Sequence, residues 1–267
     1  MLTLCLSGVT LVVPATVWSS WSFAPATLIP LLVAAAAYAY GLTLRPREDR
    51  AWPNAGLFAA GILLLAIALV SPLCRLAATL ASAHMLQHVI LVALAPPLLI
   101  VGAGGAVLAP LLPRRLRSLP FGALRNPTVA GALYGAAIWF WHVPLFYQAA
   151  LTNVWVHLAM YVSLFGAALL FWSAIFAASR RAEQAGIAVL VLLATLVHTG
   201  MLGALLSLSR SAWYPIMSAG GLAFGLTPLE DQQLAGLIMW APMGLVYLLA
   251  ALAVVATALA NLRAQTS

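Results

Sequence analysis

The chain has 267 residues, of which 64% are hydrophobic and only 6% are charged, and its mean hydropathy is +1.06. Soluble domains contain about 25% charged residues, so this composition excludes a soluble globular protein and predicts an integral membrane protein. The net charge is +7, and every basic residue is Arg. We attribute this charge to cytoplasmic loops and not to nucleic-acid binding.

The apolar residues fall into separate runs, each long enough to cross about 30 Å of hydrocarbon as a helix. We therefore predict an all-α integral membrane protein, a seven-transmembrane helical bundle. Residues 1–24 are interpreted as an outer, interfacial N-terminal segment, residues 25–262 as the membrane domain and residues 263–267 as a tail. The predicted spans are Pro25–Leu44, Ala55–Val70, Ser82–Gly102, Pro127–Tyr147, Val154–Ala177, Gly186–Leu208 and Thr227–Leu262.

Local signals mark several of these spans. The Pro96-Pro97 pair predicts a kink that frees backbone carbonyls inside the third span. Asn126-Pro127 predicts an N-cap followed by Pro at the first helical position. Thr227-Pro228-Leu229-Glu230 predicts a capping box, so Glu230 is interpreted as a cap.

The distribution of arginine predicts the orientation. Loops after even-numbered spans contain only Arg75 and Arg210. The other ten arginines follow odd-numbered spans: Arg45, Arg47, Arg50, Arg114, Arg115, Arg117, Arg125, Arg180, Arg181 and Arg263. Because cytoplasmic loops are enriched in arginine, we expect the N-terminus outside and the C-terminus in the cytoplasm.

With this orientation, all five histidines lie in the outer half of the membrane. His84 and His88 are four residues apart, one turn on the same helix face, which is the spacing of a chelating pair. The candidate metal ligands are His84, His88, His142, His157 and His198. Polar residues within spans tend to face the bundle interior, and imidazole is a good copper ligand. The sequence thus predicts a copper site on the outer side.

Sulfur ligands would favour the cuprous over the cupric ion. The candidates are Met85, Met160, Met201, Met239, Met243 and Cys74, although buried packing explains each of them as well. Two cysteines, Cys5 and Cys74, are too few for a disulfide framework and are expected as free thiols. Asp231 is placed to orient a ligand histidine or to stabilise its own helix N-terminus. An outer aromatic belt is predicted from Trp139, Trp141, Trp155, Trp213 and Tyr214.

Several functions are excluded by the residues alone. A retinal protein needs a lysine, and the chain has none. Met85 follows His84, where a zinc protease has Glu. Neither a phosphate-binding glycine loop nor a haem-attachment motif is present. A copper transporter and a b-type cytochrome with histidine-ligated haem remain as alternatives to a non-enzymatic copper-binding factor.

Four segments resemble one known family. They are HMLQHVILVALAPPLLIVG from His84, WHVPLFYQAAL from Trp141, the His157 segment that leads to LLFW, and LEDQQLAGLIMW from Leu229. Together they resemble the CtaG-type cytochrome c oxidase assembly factors of bacteria, over roughly residues 20 to 260. The positions that match the family's motifs are His84, His88, His142, His157, Asp231, Gln232, Met239 and Trp240.

The resemblance implies a multi-pass protein of the bacterial cytoplasmic membrane that assists assembly of caa-type haem-copper oxidases and helps copper reach their catalytic subunit. The implied partners are that subunit and an extracytoplasmic copper donor protein. Gln232 joins Asp231 as a residue implied to support the ligands. The chain departs from the family pattern after His157, where Met160-Tyr161 replaces a common Glu.

Overall fold

A computed structural model describes residues 5, 12–45, 52–102, 107–108, 111, 125–214 and 218–266, and these residues form helices and connections without a strand. The helices are α1 (Pro25–Thr43), α2 (Trp52–Leu69), α3 (Pro72–Leu76), α4 (Ala81–Val101), α5 (Pro127–His142), α6 (Pro144–Thr152), α7 (Val154–Ser179), α8 (Ala182–Ser207), α9 (Ser218–Ala223) and α10 (Pro228–Thr266). A short 3₁₀ helix, Pro14–Ser19, precedes α1.

The protein has several membrane-length helices and is multi-pass. Within the described ranges, α1, α4, α7, α8 and α10 are long and apolar enough to cross a membrane. The α5–α6 pair is bent by 74°, and the apolar part of α2, Asn54–Leu69, is shorter. Apolar helices thus lie at all seven predicted positions, but the described residues contain five membrane-length helices, or six if the bent pair is one span, and the seven-span count is not confirmed.

Parts of the sequence predictions concern residues outside the described ranges. These are residues 1–4 and 6–11 of the N-terminal segment and five of the arginines used for the orientation: Arg47, Arg50, Arg114, Arg115 and Arg117. The orientation of the termini therefore stays a prediction.

The fourth predicted span ends earlier than expected. Val143 has extended backbone angles, φ −63° and ψ 126°, and α6 starts at Pro144. A residue before proline disfavours the helical conformation because its backbone would clash with the proline ring. The continuous helix predicted to Tyr147 is therefore wrong, and the chain turns at the point where His142 ends α5.

The free carbonyl predicted at Pro96-Pro97 is present, whereas the kink stays a prediction. A π-helical turn, Ile90–Leu94, precedes the prolines. Pro96 has no N–H to donate to the carbonyl four residues back, so the carbonyl of Val92 is free for other donors. The Trp172 indole N–H donates to this oxygen at 3.0 Å and the Tyr134 hydroxyl at 3.3 Å. One freed carbonyl thus joins α4 to both α5 and α7.

Helix caps follow the sequence signals. The Asn126 side chain accepts from the N–H of Thr128 at 2.8 Å, and Glu230 accepts from the Thr227 N–H at 2.8 Å. Glycines allow α8 and α10 to pack closely, since a Cβ at Gly203 would lie 2.9 Å from the carbonyl oxygen of Gly236. The close approach at these glycines holds α10 against α8.

The two cysteines are not free thiols. Cys5 and Cys74 form a disulfide, and both are buried. The N-terminal segment is further attached to this end of the bundle by hydrogen bonds from Val12 N–H to Thr79 and from Ser22 N–H to the carbonyl of Val70. The free-thiol prediction is wrong because 69 residues separate the two positions and only the folded chain brings them together.

Candidate metal-binding site

Four of the five histidines meet in one buried cluster. His84 and His88 come from the first turns of α4, His142 ends α5 and His157 lies near the start of α7, and each is at most 7% exposed. The ring centroids of His84 and His88 are 4.4 Å apart. His157 is 6.4 Å from His84, and His142 is 6.4 Å from His88. The four rings therefore form a short row, with the predicted pair at its centre.

Three of these rings are oriented by backbone carbonyls. Nδ1 lies 3.0 Å from the Ala77 oxygen in His84, 2.7 Å from the Ile138 oxygen in His142 and 3.0 Å from the Ala150 oxygen in His157. A carbonyl only accepts, so each Nδ1 carries the proton and leaves the lone pair of Nε2 available. Metal-bound histidines are commonly held in this way.

Three Nε2 atoms in the cluster have no partner among the described residues. Nε2 of His84, His88 and His157 is buried and makes no hydrogen bond within the described part of the chain. Leaving a buried polar atom unpaired costs about 1–3 kcal/mol, so three in one cluster need an explanation. A bound ion would supply the missing interaction.

The cluster is not a complete polydentate site. Among the described residues, no three or more His, Cys, Asp or Glu side chains have the mutual arrangement that would hold one metal ion. What the structure provides is the His84/His88 pair with one further imidazole at each end of the row.

Asp231 supports the cluster through the backbone of α4. Its carboxylate, 1% exposed, accepts from the N–H of Ala81 at 2.7 Å and from the N–H and hydroxyl of Ser82 at 3.1 and 2.5 Å. These hydrogen bonds satisfy the first free N–H groups of the helix that carries His84 and His88. Asp231 therefore fixes the position of the pair, and it does so without the predicted contact to a histidine ring.

Gln232 holds the loop that covers the cluster. It accepts from the Trp213 N–H at 2.6 Å and donates to the Ser211 carbonyl at 3.2 Å. Tyr214, which follows Trp213, donates to the carbonyl of His142 at 2.8 Å. Tyr214 is 8% exposed, so its prediction as an aromatic-belt residue is wrong, and burial raises the pKa of its phenol and keeps this donor protonated.

The other predicted belt residues differ in how far they are buried. Trp155 is 62% exposed and fits a membrane-interface position, whereas Trp141 is buried and donates to Ser163. An aromatic residue near a span end does not reveal from sequence which way it faces.

Three further side chains at the site were missed by the sequence analysis. The Tyr161 hydroxyl donates to Gln87 Oε1 at 2.6 Å, and Gln87 Nε2 donates to the Ala68 carbonyl at 2.6 Å. The Tyr161 ring lies 4.4 Å from His157, and the Tyr147 ring lies 5.1 Å from His84. Gln87 and Tyr147 lie within the motif segments around His84 and His142, which was the available signal. Tyr161 occupies the position where the chain departs from the family pattern.

The remaining candidates lie outside the row or have another role. His198 is half-buried on α8, where it accepts from the Trp139 indole at 3.4 Å and packs on Gly135. Met201 is 52% exposed, and Cys74 is held in the disulfide and offers no thiolate. The other candidate methionines are buried, which fits both packing and a role in metal binding; they are Met85, Met160, Met239 and Met243.

Comparison with known proteins identifies one similar family. The family model described as "Cytochrome c oxidase caa3 assembly factor" matches residues 36–261, a range that includes the four clustered histidines and Asp231. No match was found among curated proteins or among solved structures.

Proposed function

This chain belongs to the cytochrome c oxidase caa3 assembly factor family, and we propose that it binds copper at the histidine row and passes it to the oxidase. The observation that carries the proposal is the set of three buried, unpartnered Nε2 atoms on His84, His88 and His157. Their opposite ring nitrogens, where a partner is seen, already donate to the backbone, so within the described residues these lone pairs are left available to a ligand.

The cuprous ion suits this environment better than the cupric ion. Copper in its reduced state favours soft ligands such as thioether, and imidazole also suits it. Met160 on α7 and Met239 and Met243 on α10 are each at most 2% exposed, so thioethers are available inside the bundle. The Asp231 carboxylate is engaged with α4 and is not free to act as a hard oxygen ligand.

An incomplete site fits a transfer role. A copper ion held by the His84/His88 pair would keep coordination positions open, since open positions are what an incoming ligand needs. His157 and His142 at the two ends of the row would then serve ion entry and release. A closed four-ligand site would hold the metal too tightly for a carrier.

Location and partners follow from the same proposal. The arginine distribution places the histidines near the outer face of the bacterial cytoplasmic membrane. The receiving partner would be the catalytic subunit of the oxidase, and an extracytoplasmic copper protein would supply the ion.

Metal analysis of the detergent-purified protein after anaerobic loading with cuprous ion tests the proposal. We expect about one copper per chain in the wild type, and at least a tenfold lower occupancy in His84→Ala/His88→Ala because both central ligands are removed. His198→Ala is the matched control, since it removes an imidazole outside the row, and it should retain the wild-type copper.

Other outcomes would redirect the function. A Soret band in the purified protein would identify a b-type cytochrome. Copper accumulation inside sealed vesicles that contain only this protein would identify a transporter. Wild-type protein that binds no copper under loading would contradict the proposal and leave an assembly role without metal.

A further inference from the structure

The end of the bundle opposite the histidines contains a cavity with a basic rim. It has a volume of about 690 Å³ and lies between the start of α5, the end of α7 and the start of α8. Its polar side chains are Arg125, Asn126, Thr128, Ser173, Arg181 and Gln184. No carboxylate belongs to its lining, and Glu183, which is adjacent in sequence, is exposed on α8. Both guanidinium groups thus border the cavity without an acidic partner in its wall.

The segment that leads to Arg125 is basic in sequence. Residues 103–124, which precede Arg125 in the chain, contain three further arginines and no Asp or Glu. Basic pockets between transmembrane helices at the cytoplasmic side are typical binding sites for anionic lipid headgroups. The first N–H groups of α5 already bind the Asn126 side chain, so the two guanidinium groups are the groups left to bind an anion.

A second cavity shares a lining residue with the first. It has a volume of about 670 Å³, and Ser173 on α7 lines both cavities. Its walls are mostly apolar side chains of α1, α2, α4 and α7, including Pro30, Ile62, Leu99 and Phe165. The basic-rimmed cavity and a hydrocarbon-lined cleft therefore meet at Ser173.

The length and lining of the cleft select its occupant. The cleft follows α7 from Leu158 to Ser173, which is about 22 Å at 1.5 Å per residue. A cleft of this length with apolar walls suits one extended hydrocarbon chain.

We propose that this protein binds one anionic phospholipid, with its phosphate between Arg125 and Arg181 and one acyl chain passing Ser173 into the apolar cleft. The site lies at the far ends of the helices that carry His142 and His157, so the lipid would hold α5, α7 and α8 together at the end that the histidines do not reach. The proposal concerns a site separate from copper and holds whether or not copper binds.

Native mass spectrometry of the purified full chain tests it, after incubation with equal amounts of phosphatidylglycerol and phosphatidylcholine. We expect the anionic lipid to be retained roughly twentyfold over the zwitterionic one, because each guanidinium near an anionic headgroup contributes about a fivefold gain. Arg125→Gln/Arg181→Gln should reduce the preference to near parity.

Two further variants distinguish lipid binding at this site from a general effect of positive charge on lipid binding. Arg45→Gln/Arg210→Gln removes the same charge elsewhere and should keep the preference. Ser173→Trp fills the junction of the two cavities and should lower lipid retention at unchanged charge. Equal retention of both lipids by the wild type, or an equal loss in the Arg45/Arg210 control, would overturn the proposal. Full retention by Ser173→Trp would overturn the acyl-chain path.

Discussion

The two ends of α5 and α7 are built in opposite ways. At one end, His142 and His157 are at most 7% exposed, and each ring is fixed by a backbone carbonyl. At the other end, Arg125 and Arg181 are exposed beside an open cavity. Neutral, oriented donors thus lie at one end of these helices, and exposed, charged groups lie at the other.

This difference reflects what each kind of ligand requires. A metal ion needs donor atoms that are positioned before it arrives, and buried hydrogen bonds provide that positioning. An anionic headgroup is attracted by charge over a longer range, and exposed guanidinium groups can adjust to it. Substitution of a group that positions the His84/His88 pair should therefore change stability and metal binding together, whereas substitutions at the arginine end should change lipid binding alone.

The largest effect is expected from removing the cap of α4. Asp231→Ala deletes three buried hydrogen bonds to a carboxylate, and we expect the free energy of unfolding to fall by at least about 3 kcal/mol. Copper occupancy should fall with it, because His84 and His88 lie on the uncapped helix. Thermal unfolding in detergent measures the stability, and metal analysis measures the copper occupancy.

Glu230→Gln is the matched control for this variant. It changes a neighbouring acidic residue that is exposed and caps only its own helix, so its effect should be much smaller than that of Asp231→Ala. Equal effects of the two substitutions would show that the start of α10, and not the contact with α4, determines the site.

Removal of the disulfide should have the next largest effect. Cys5→Ser/Cys74→Ser releases the N-terminal segment, and we expect a loss of about 2–4 kcal/mol in the free energy of unfolding. Copper occupancy should persist in the protein that stays folded, since no thiolate takes part in binding. Loss of copper without a lower unfolding temperature would instead identify the cysteines as ligands.

A smaller effect is expected at the hydrogen bond beside the row. Tyr161→Phe leaves Gln87 Oε1 without its 2.6 Å donor, and we expect about 1 kcal/mol of destabilisation. The phenyl ring still packs on His157, so copper occupancy should remain. Tyr40→Phe, at an exposed tyrosine of α1, is the control and should leave the unfolding temperature unchanged.

The smallest effect on folding is expected at the arginine end. Arg125→Gln/Arg181→Gln should leave the free energy of unfolding in lipid-free detergent within about 0.5 kcal/mol of wild type, because both side chains are exposed. Copper occupancy should also be unchanged. A loss of copper in this variant would mean that the two ends of the helices are coupled.

Local sequence patterns predicted the helices and their breaks well. The Pro96-Pro97 pair predicts a kink and free carbonyls, and the capping sequences at Asn126 and Thr227 are confirmed by the hydrogen bonds they form. These features depend on residues within one turn of each other. Pro144 carried the same kind of signal for the break after His142, and the length of the apolar run obscured it.

Contacts between distant segments could not be predicted. The sequence predicted that Asp231 orients a ligand histidine or stabilises its own helix N-terminus, and the fold places its carboxylate on the backbone of Ala81 and Ser82, about 150 residues away in the chain. His198 and His157 carry similar sequence signals near the outer face, yet only His157 joins the row. Which side of a span faces the bundle interior is set by its packing with other helices. The sequence of a single helix does not encode that packing.

The sequence by itself determined that the protein is helical and membrane-embedded, that His84 and His88 share one helix face, and that the chain resembles oxidase assembly factors. These conclusions depend on composition, periodicity and short motifs, which act locally. Only the tertiary structure decided that four histidines meet, that three of their nitrogens lack a partner among the described residues and that Cys5 is bonded to Cys74. Each of these depends on how separate helices pack, because helices of nearly uniform hydrophobicity carry little information on which faces meet.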